Sequence, residues 1–501
     1  MSLEEAQPQT TGTDVPVTTG PTPLAELLRI AGPTVATMAG FTIMQFVDTL
    51  MIAAYGRQNG SVLEPTAATN GGLAAFAIVC IGVGTTTIVN ALASQCYGGK
   101  RFARCGRFMW QGVWFSVGYA LLVLPFTFLG GPIFNAAGHS PELVALEVPY
   151  FRILLYFTVI RLLVGTVGQF LIAIDMAMWT LLAALFAIAA NVLFNWLLIF
   201  GNAGFPRMGV AGAAWATNLA ALVELAVLAA ICLRPVVRKF GITDWKLRMP
   251  AMGRLVRIGL PSGFQFAADV WPWAIFLGVV MATFGEEAMA ANLFMFRFLI
   301  TSFLPAVGIS IAVTALVGRY VGARDIPTAK ARAWLGFKIV LAWLVIPGVL
   351  YLLFPTALMR LFTDDPEVLR LGAWLLWICV GYQFFDAMYI TYAHALRGAG
   401  DTLVPALFTG GLCWGMLVGG GSLVAWLLPS WGIFGPWVIA CVYGVTLGIF
   451  MVVRFHYGKW QREKPAAFVQ ASETPEFEVT APADTMQSEQ RQAVPALQET
   501  R

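Results

Sequence analysis

Charge is scarce in this chain. Asp, Glu, Lys and Arg make up 12% of its 501 residues, against 58% hydrophobic. A chain of this length cannot keep so many apolar side chains from water, which excludes a water-soluble globular fold. Histidine is nearly missing: His139, His394 and His456 are the three, so no zinc motif is available. The seven cysteines (Cys80, Cys96, Cys105, Cys232, Cys379, Cys413 and Cys441) form no CxxC pair and no framework spacing. They read as free thiols that pack as small apolar residues. No P-loop occurs, which removes ATP as a direct energy source. The polar start, "MSLEEAQPQTTGTDVPVTTGPTP", lacks the basic-then-apolar pattern of a secretory signal, and none is expected.

What is present is apolar and comes in long runs, each long enough to span a bilayer core. They divide into twelve predicted helices: Ile30–Gly56, Gly71–Gln95, Phe108–Phe134, Val144–Gly168, Met176–Phe200 and Val210–Leu233, then Leu255–Phe284, Ala288–Val317, Trp334–Phe354, Leu371–Leu396, Val404–Leu428 and Ile433–Val453. A barrel needs short alternating segments, and these runs are continuous. The net charge of +4 is small, so placement matters more than sum. Basic residues crowd alternate connections: Lys100, Arg101, Arg104 and Arg107 after the second helix, Arg234 to Arg254 after the sixth, and Arg319 to Arg332 after the eighth. Arg454, Lys459, Arg462 and Lys464 follow the last. The intervening connections are nearly bare, or offset Arg360 and Arg370 with Asp364, Asp365 and Glu367. By the positive-inside rule both termini are cytoplasmic, which requires an even number of helices. The expected organisation is a disordered tail at 1–23, an N-lobe at 24–234, a cytoplasmic linker at 235–252, a C-lobe at 253–458 and a disordered tail at 459–501.

The halves repeat. "LLRIAGPTVA" and "LVRIGLPSGF" both set Arg-Ile just before a Pro, at Pro33 and Pro261. "GTTTIVNALASQCYGGKRFARCGRFMWQG" and "GISIAVTALVGRYVGARDIPTAKARAWLG" match Gly84 with Gly308, Gly98 with Gly322 and Trp110 with Trp334. Later, Gly209 and Gly212 match Gly432 and Gly435. Six is even, so the copies have the same orientation. Such repeats build transporters whose site lies between two rocking lobes.

Four acids fall deep inside predicted spans: Asp48, Glu224, Asp269 and Asp386. A charge at the bilayer centre costs about 2.5–3.5 kcal/mol on insertion scales, so such a group faces protein, water or a ligand. The functional reading is a carboxylate that exchanges a proton, Na⁺ or a cationic ligand. The structural reading is an internal ion pair, with Arg152, Arg161 and Arg297 as candidate partners and Arg161 as the one for Glu224. Asn191 and Asn195 lie one turn apart on one helix face, as glue between helices or as ligands. Gln45 joins them as a candidate lining residue. Trp271, Trp273 and Tyr389 sit near the acids and can stack on flat organic cations.

Five stretches in order carry a resemblance: "QFVDTLMIAAYG", "GVGTTTIVNALASQCYGGKR", "NVLFNWLLIFGNAGFPRMGVAGAAWAT", "GISIAVTALVGRYVGAR" and "DAMYITYAHALRGAGDTLVP". Together they resemble the multidrug and toxic compound extrusion (MATE) family from about Leu24 to Val453. The resemblance implies an all-α membrane protein with two six-helix lobes in a V, working as a drug antiporter. It implies that Asp48, Asp269 and Asp386 are the family's acids of helices 1, 7 and 10, with Asp269 and Asp386 the Na⁺ ligands if sodium is the coupling ion. Asn191 and Asn195 match the family's polar pair of helix 5, and with Gln45, Trp271, Tyr389 and Glu224 they are the residues expected to line the substrate cavity. Asn195 stands where one branch of the family carries Asp, so the chain resembles the NorM-type branch, whose cation site is in the C-terminal lobe. The expected substrates are organic cations or amphiphilic drugs, and the coupling ion is Na⁺ or H⁺. No cofactor, no catalytic residue and no nucleic-acid partner are expected, and the chain is read as a monomer among lipids in a bacterial inner membrane. Two other readings stay open: a lipid-linked sugar flippase of the same superfamily, which calls for a basic cavity, and an intramembrane enzyme with paired aspartates.

Overall fold

A computed structural model describes residues 22–61, 63–462, 465 and 467. Among these no strand occurs. Eleven helices are long and apolar enough to cross a bilayer, and one bent pair makes a twelfth span. The N-lobe holds α1 (Pro23–Gln58), α2 (Leu63–Gly98), α3 (Phe102–Ala136), α4 (Pro141–Tyr156 and Thr158–Ala173, bent by 47°), α5 (Ala177–Phe200) and α6 (Gly209–Cys232). The C-lobe holds α7 (Met249–Phe284), α8 (Glu286–Gly322), α9 (Ile326–Leu353), α10 (Pro366–Ala399), α11 (Leu403–Leu427) and α12 (Phe434–Gln461). Most helices run past the apolar segments read from the sequence, and polar capping residues start four of them early. Thr22, Ser140, Asp325 and Asp365 each accept a hydrogen bond from a backbone N–H of the first turn, with Pro at one of the first two positions. Such a cap stabilises a helix by about 1 kcal/mol.

The two halves are related in detail. Gly209 (φ 55°, ψ −127°) and Gly432 (φ 53°, ψ −145°) share a backbone conformation that only glycine adopts without strain. Lys100 and Arg324 also share positive φ, at 56° and 62°. Each lets the next backbone N–H reach back across the turn, from Arg101 to Cys96 O at 2.9 Å and from Asp325 to Tyr320 O at 2.8 Å.

The lobes meet reciprocally. A side chain at Gly98 of α2 would strike the Arg319 backbone of α8, and one at Gly322 of α8 would strike the Gln95 backbone of α2. Gly84 of α2 lies against Ser262 and Gly263 of α7, while Gly308 of α8 lies against Thr34 and Val35 of α1. The hydroxyl of Thr34 donates to Gly308 O at 2.7 Å. These contacts all lie in the halves of the helices nearest the basic connections, called here the basic end. The first turns of α1 join the C-lobe core, where Leu27, Ile30 and Ala31 are buried with Val313, Leu316 and Ala333. Polar groups fasten the same end. Glu26 pairs with Arg332 at 2.7 Å and accepts from the Tyr320 hydroxyl at 2.9 and 3.0 Å. Asp175, in the turn before α5, pairs with Arg29 at 2.5 Å and with Arg319 at 3.5 Å.

The linker is held to α3: the indole N–H groups of Trp110 and Trp114 donate to Ile242 O and Trp245 O at 2.6 and 2.9 Å. The C-terminal boundary expected at 459 is corrected. Lys459–Gln461 form a helical turn, and Trp460 is buried with its ring stacked on Phe455. Ala467 N–H donates to Gln95 at 2.9 Å, and Ala467 O accepts from Arg254 at 2.7 Å. The indole burial and these backbone bonds extend the packed body past the last apolar run. The expected tails at 1–21 and 468–501 lie outside the described residues.

Candidate functional site

The acids of the two lobes are arranged differently: singly in the N-lobe, as a pair in the C-lobe. In the N-lobe, Asp48 lies on α1 toward the end away from the basic connections. Its carboxylate accepts from the Asn195 amide of α5 at 2.5 Å, and the same amide donates to Asn191 at 3.1 Å. The two asparagines, four residues apart, are fully buried, and Asp48 is half-buried at the edge of the pair. No Arg or Lys is within ion-pair distance of Asp48 among the described residues. Gln45, three residues before Asp48, is exposed.

In the C-lobe, Asp269 on α7 and Asp386 on α10 lie within electrostatic reach of each other at mid-span. The Tyr389 hydroxyl, one turn beyond Asp386, donates to the Asp269 carboxylate, at 2.7 and 2.6 Å from its two oxygens. Asp386 is 7% exposed, and the Tyr382 side chain lies at its edge. Trp273 packs edge-on to Tyr382 and Phe276 and tilted on Phe296 and Trp437, closing an aromatic wall beside the acids. Trp271 points elsewhere. Its N–H donates to Ala77 O of α2 at 3.0 Å, and its ring borders an apolar cavity of about 320 Å³ with Phe264, Leu407 and Trp414.

The remaining acid stands alone. Glu224 on α6 is buried, and Arg161 makes no ion pair with it among the described residues. The neighbour that Arg161 senses is Tyr150. Arg152 donates to Thr127 O at 3.1 Å, and Arg297 is exposed, so neither neutralises an acid of the spans. The suggested Arg161 partnership therefore gives way to an unpaired carboxyl group.

The C-lobe group suits a monovalent cation better than a transition metal. Among the described residues no three of His, Cys, Asp and Glu cluster. Two carboxylates with hydroxyl neighbours offer hard oxygen donors, and no basic residue is in ion-pair contact with either among the described residues. Reading from sequence placed Tyr389 there as a stacking ring; its role as a donor to Asp269 and the presence of Tyr382 were missed. The seven-residue spacing of Tyr382 and Tyr389, one on each side of Asp386, was the available signal.

The model of the MatE family matches residues 33–197 and 261–414. A probable multidrug resistance protein NorM of Mesorhizobium japonicum is 27% identical over 451 residues, covering 87% of this chain and 93% of that protein. One from Pseudomonas putida is 29% identical over 453 residues, covering 85% and 92%. Among solved structures, a MOP superfamily transporter from Pyrococcus furiosus superposes with a TM-score of 0.77 at 18% identity, covering 87% of this chain and 95% of that one. A MATE structure in the straight conformation also gives 0.77 at 18% identity, covering 87% and 96%. The fold, the repeat and the family match agree: this chain belongs to the multidrug and toxic compound extrusion family of membrane transporters, with NorM-named proteins among its relatives.

Proposed function

We propose that the protein exports organic cations and amphiphilic drugs in exchange for Na⁺ or H⁺, by alternating access between its two lobes. The observation that carries this reading is the pair Asp269 and Asp386, two acids within mutual electrostatic reach at mid-span, with no basic residue paired to either among the described residues. Two like charges so placed repel, and one bound cation relieves both the repulsion and the loss of hydration. A coupling cation and a cationic drug then compete for the same negative field. Exchange needs no covalent step.

The lobe contacts support the access cycle. The basic end is closed by interlocked α1, α2, α7 and α8, and opening it requires the Glu26–Arg332 and Asp175–Arg319 pairs to part. The basic end is taken as cytoplasmic, with both termini inside and the chain in a bacterial inner membrane. Each lobe carries its own acids within one chain, so a monomer suffices. The apolar cavity beside Trp271 and the wall around Trp273 suit the hydrophobic part of an amphiphile. A flippase for pyrophosphate-linked sugars would need basic side chains where these acids stand.

The test is efflux of a fluorescent organic cation, measured as uptake into inverted vesicles under separate Na⁺ and pH gradients. One gradient alone should drive uptake, and dissipating it should stop uptake at once. Uptake that needs ATP with both gradients collapsed contradicts the proposal.

A further inference from the structure

We infer that Arg397 is an electrostatic plug within the C-lobe, which stops the coupling cation from leaking past Asp269 and Asp386 to the basic end without movement of the lobes. This rests on the ion-coupled reading above and adds a residue to it.

The placement comes from α10. Asp386, Ala393 and Arg397 fall on one stripe of that helix, and Tyr389 flanks it. Arg397 lies eleven residues beyond Asp386, roughly 16 Å further toward the basic end, in the last turn. Polar side chains follow the same direction on α7. Gln265, four residues before Asp269, donates to the Thr409 hydroxyl at 3.5 Å, and Ser262 is fully buried with its Oγ unpartnered. A track of polar atoms therefore leads from the acids toward the basic end, with spare hydrogen-bonding capacity along it.

Arg397 stands at the end of that track. It is 8% exposed, its Nε has no hydrogen-bond partner, and it makes no ion pair among the described residues. The acidic groups that sense it are Asp269 and Tyr389, and His394 on the same helix senses it too. The Nε atoms of Arg248 and Arg319 are also unpartnered, but those guanidinium groups pair with Asp244 and Asp175, whereas Arg397 pairs with no carboxylate among the described residues. A guanidinium buried with an orphaned Nε is costly, and leaves its field free to act along the track. Beyond it the lobes are sealed: Gln95 donates to Gly398 O at 2.9 Å. Cations moving through the lobe past the acids meet that positive charge. Exchange stays coupled because the shorter route is blocked.

The experiment uses the full chain in proteoliposomes, as wild type, R397Q and R397K. Drug-independent ²²Na⁺ entry and proton entry are each measured under an imposed potential, beside drug–cation exchange. R397Q should raise the drug-independent leak by at least about tenfold, the least a unit charge at this depth should contribute, and R397K should leak like wild type. R397M keeps the length of the stem without its charge and replaces R397Q if the latter is not recovered as monodisperse protein. A charge-free variant that leaks no more than wild type overturns the plug. Equal leaks in the charge-free variant and R397K also overturn it, since packing rather than charge would then be the cause. So does loss of a chloride-dependent activity without any cation leak, which would make Arg397 an anion ligand. Wild-type protein that exchanges drug on neither gradient fails separately, against the antiport reading itself.

Discussion

Replacing Tyr389 by Phe should tighten binding of the coupling cation and slow its release. The hydroxyl donates to the Asp269 carboxylate with its oxygen 2.7 and 2.6 Å from the two acceptor oxygens, at the short end for such bonds. A hydrogen bond to a charged group contributes about 1.5–3 kcal/mol. Asp269 is half-buried, so water recovers part of that loss and the lower figure applies. The bond stabilises the empty, charged carboxylate. Its removal leaves the cation-bound form less affected, so the equilibrium moves toward binding by about 1.5 kcal/mol, or roughly tenfold. The side chain keeps its ring, so packing against the neighbouring helices is retained. The assay is drug export by reconstituted Y389F as a function of external Na⁺ and, separately, of pH. The half-saturating cation concentration should fall roughly tenfold and the maximal rate should drop with it. A half-saturating concentration that rises would refute the reasoning, because the hydroxyl would then be a ligand of the cation rather than its competitor.

Other outcomes follow from the same geometry. Asp386→Asn removes one of two mutually sensing carboxylates and should nearly abolish drug export at unchanged protein level; growth protection equal to wild type would take Asp386 out of the mechanism. Asp48→Asn should flatten the pH dependence of drug affinity, since among the described residues its carboxylate is hydrogen-bonded by the neutral amide of Asn195 and paired with no Arg or Lys; ligand titrations at several pH values check this. Glu26→Gln weakens the pair with Arg332, whose side chains are 16% and 14% exposed. A loss of about 1 kcal/mol should favour opening of the basic end roughly fivefold, read as faster labelling of a cysteine introduced at Gly318; unchanged labelling would show that the latch contributes nothing.

The spans were legible because the apolar runs are continuous and the basic residues alternate between connections. The repeat was legible because its glycines are required by geometry: Gly209 and Gly432 hold the same left-handed turn, and Gly98 and Gly322 let α2 and α8 touch. Other features depend on partners far away in sequence. Nothing near Glu26 points to Arg332, and nothing near Asp175 points to Arg319. The bend of α4 at Phe157 and the widened π-helical turn at Cys413–Gly420 have no proline within the preceding turn to announce them. The acids themselves were visible as charges in apolar runs. Their partners were not: Asn195 was found beside Asp48 only when α1 and α5 packed together, and Arg161 turned toward Tyr150 rather than Glu224.

The central claim is that one negative field in the C-lobe is shared in turn by drug and coupling ion. Reversal of the flux tests it most directly. Purified protein is reconstituted with no ion gradient, and an outward gradient of organic cation is imposed across the vesicle wall. Uphill entry of Na⁺ or H⁺ should follow, should stop when the drug gradient collapses, and should be absent from Asp386→Asn. Drug that runs down its gradient with no counter-movement of either ion would contradict the account.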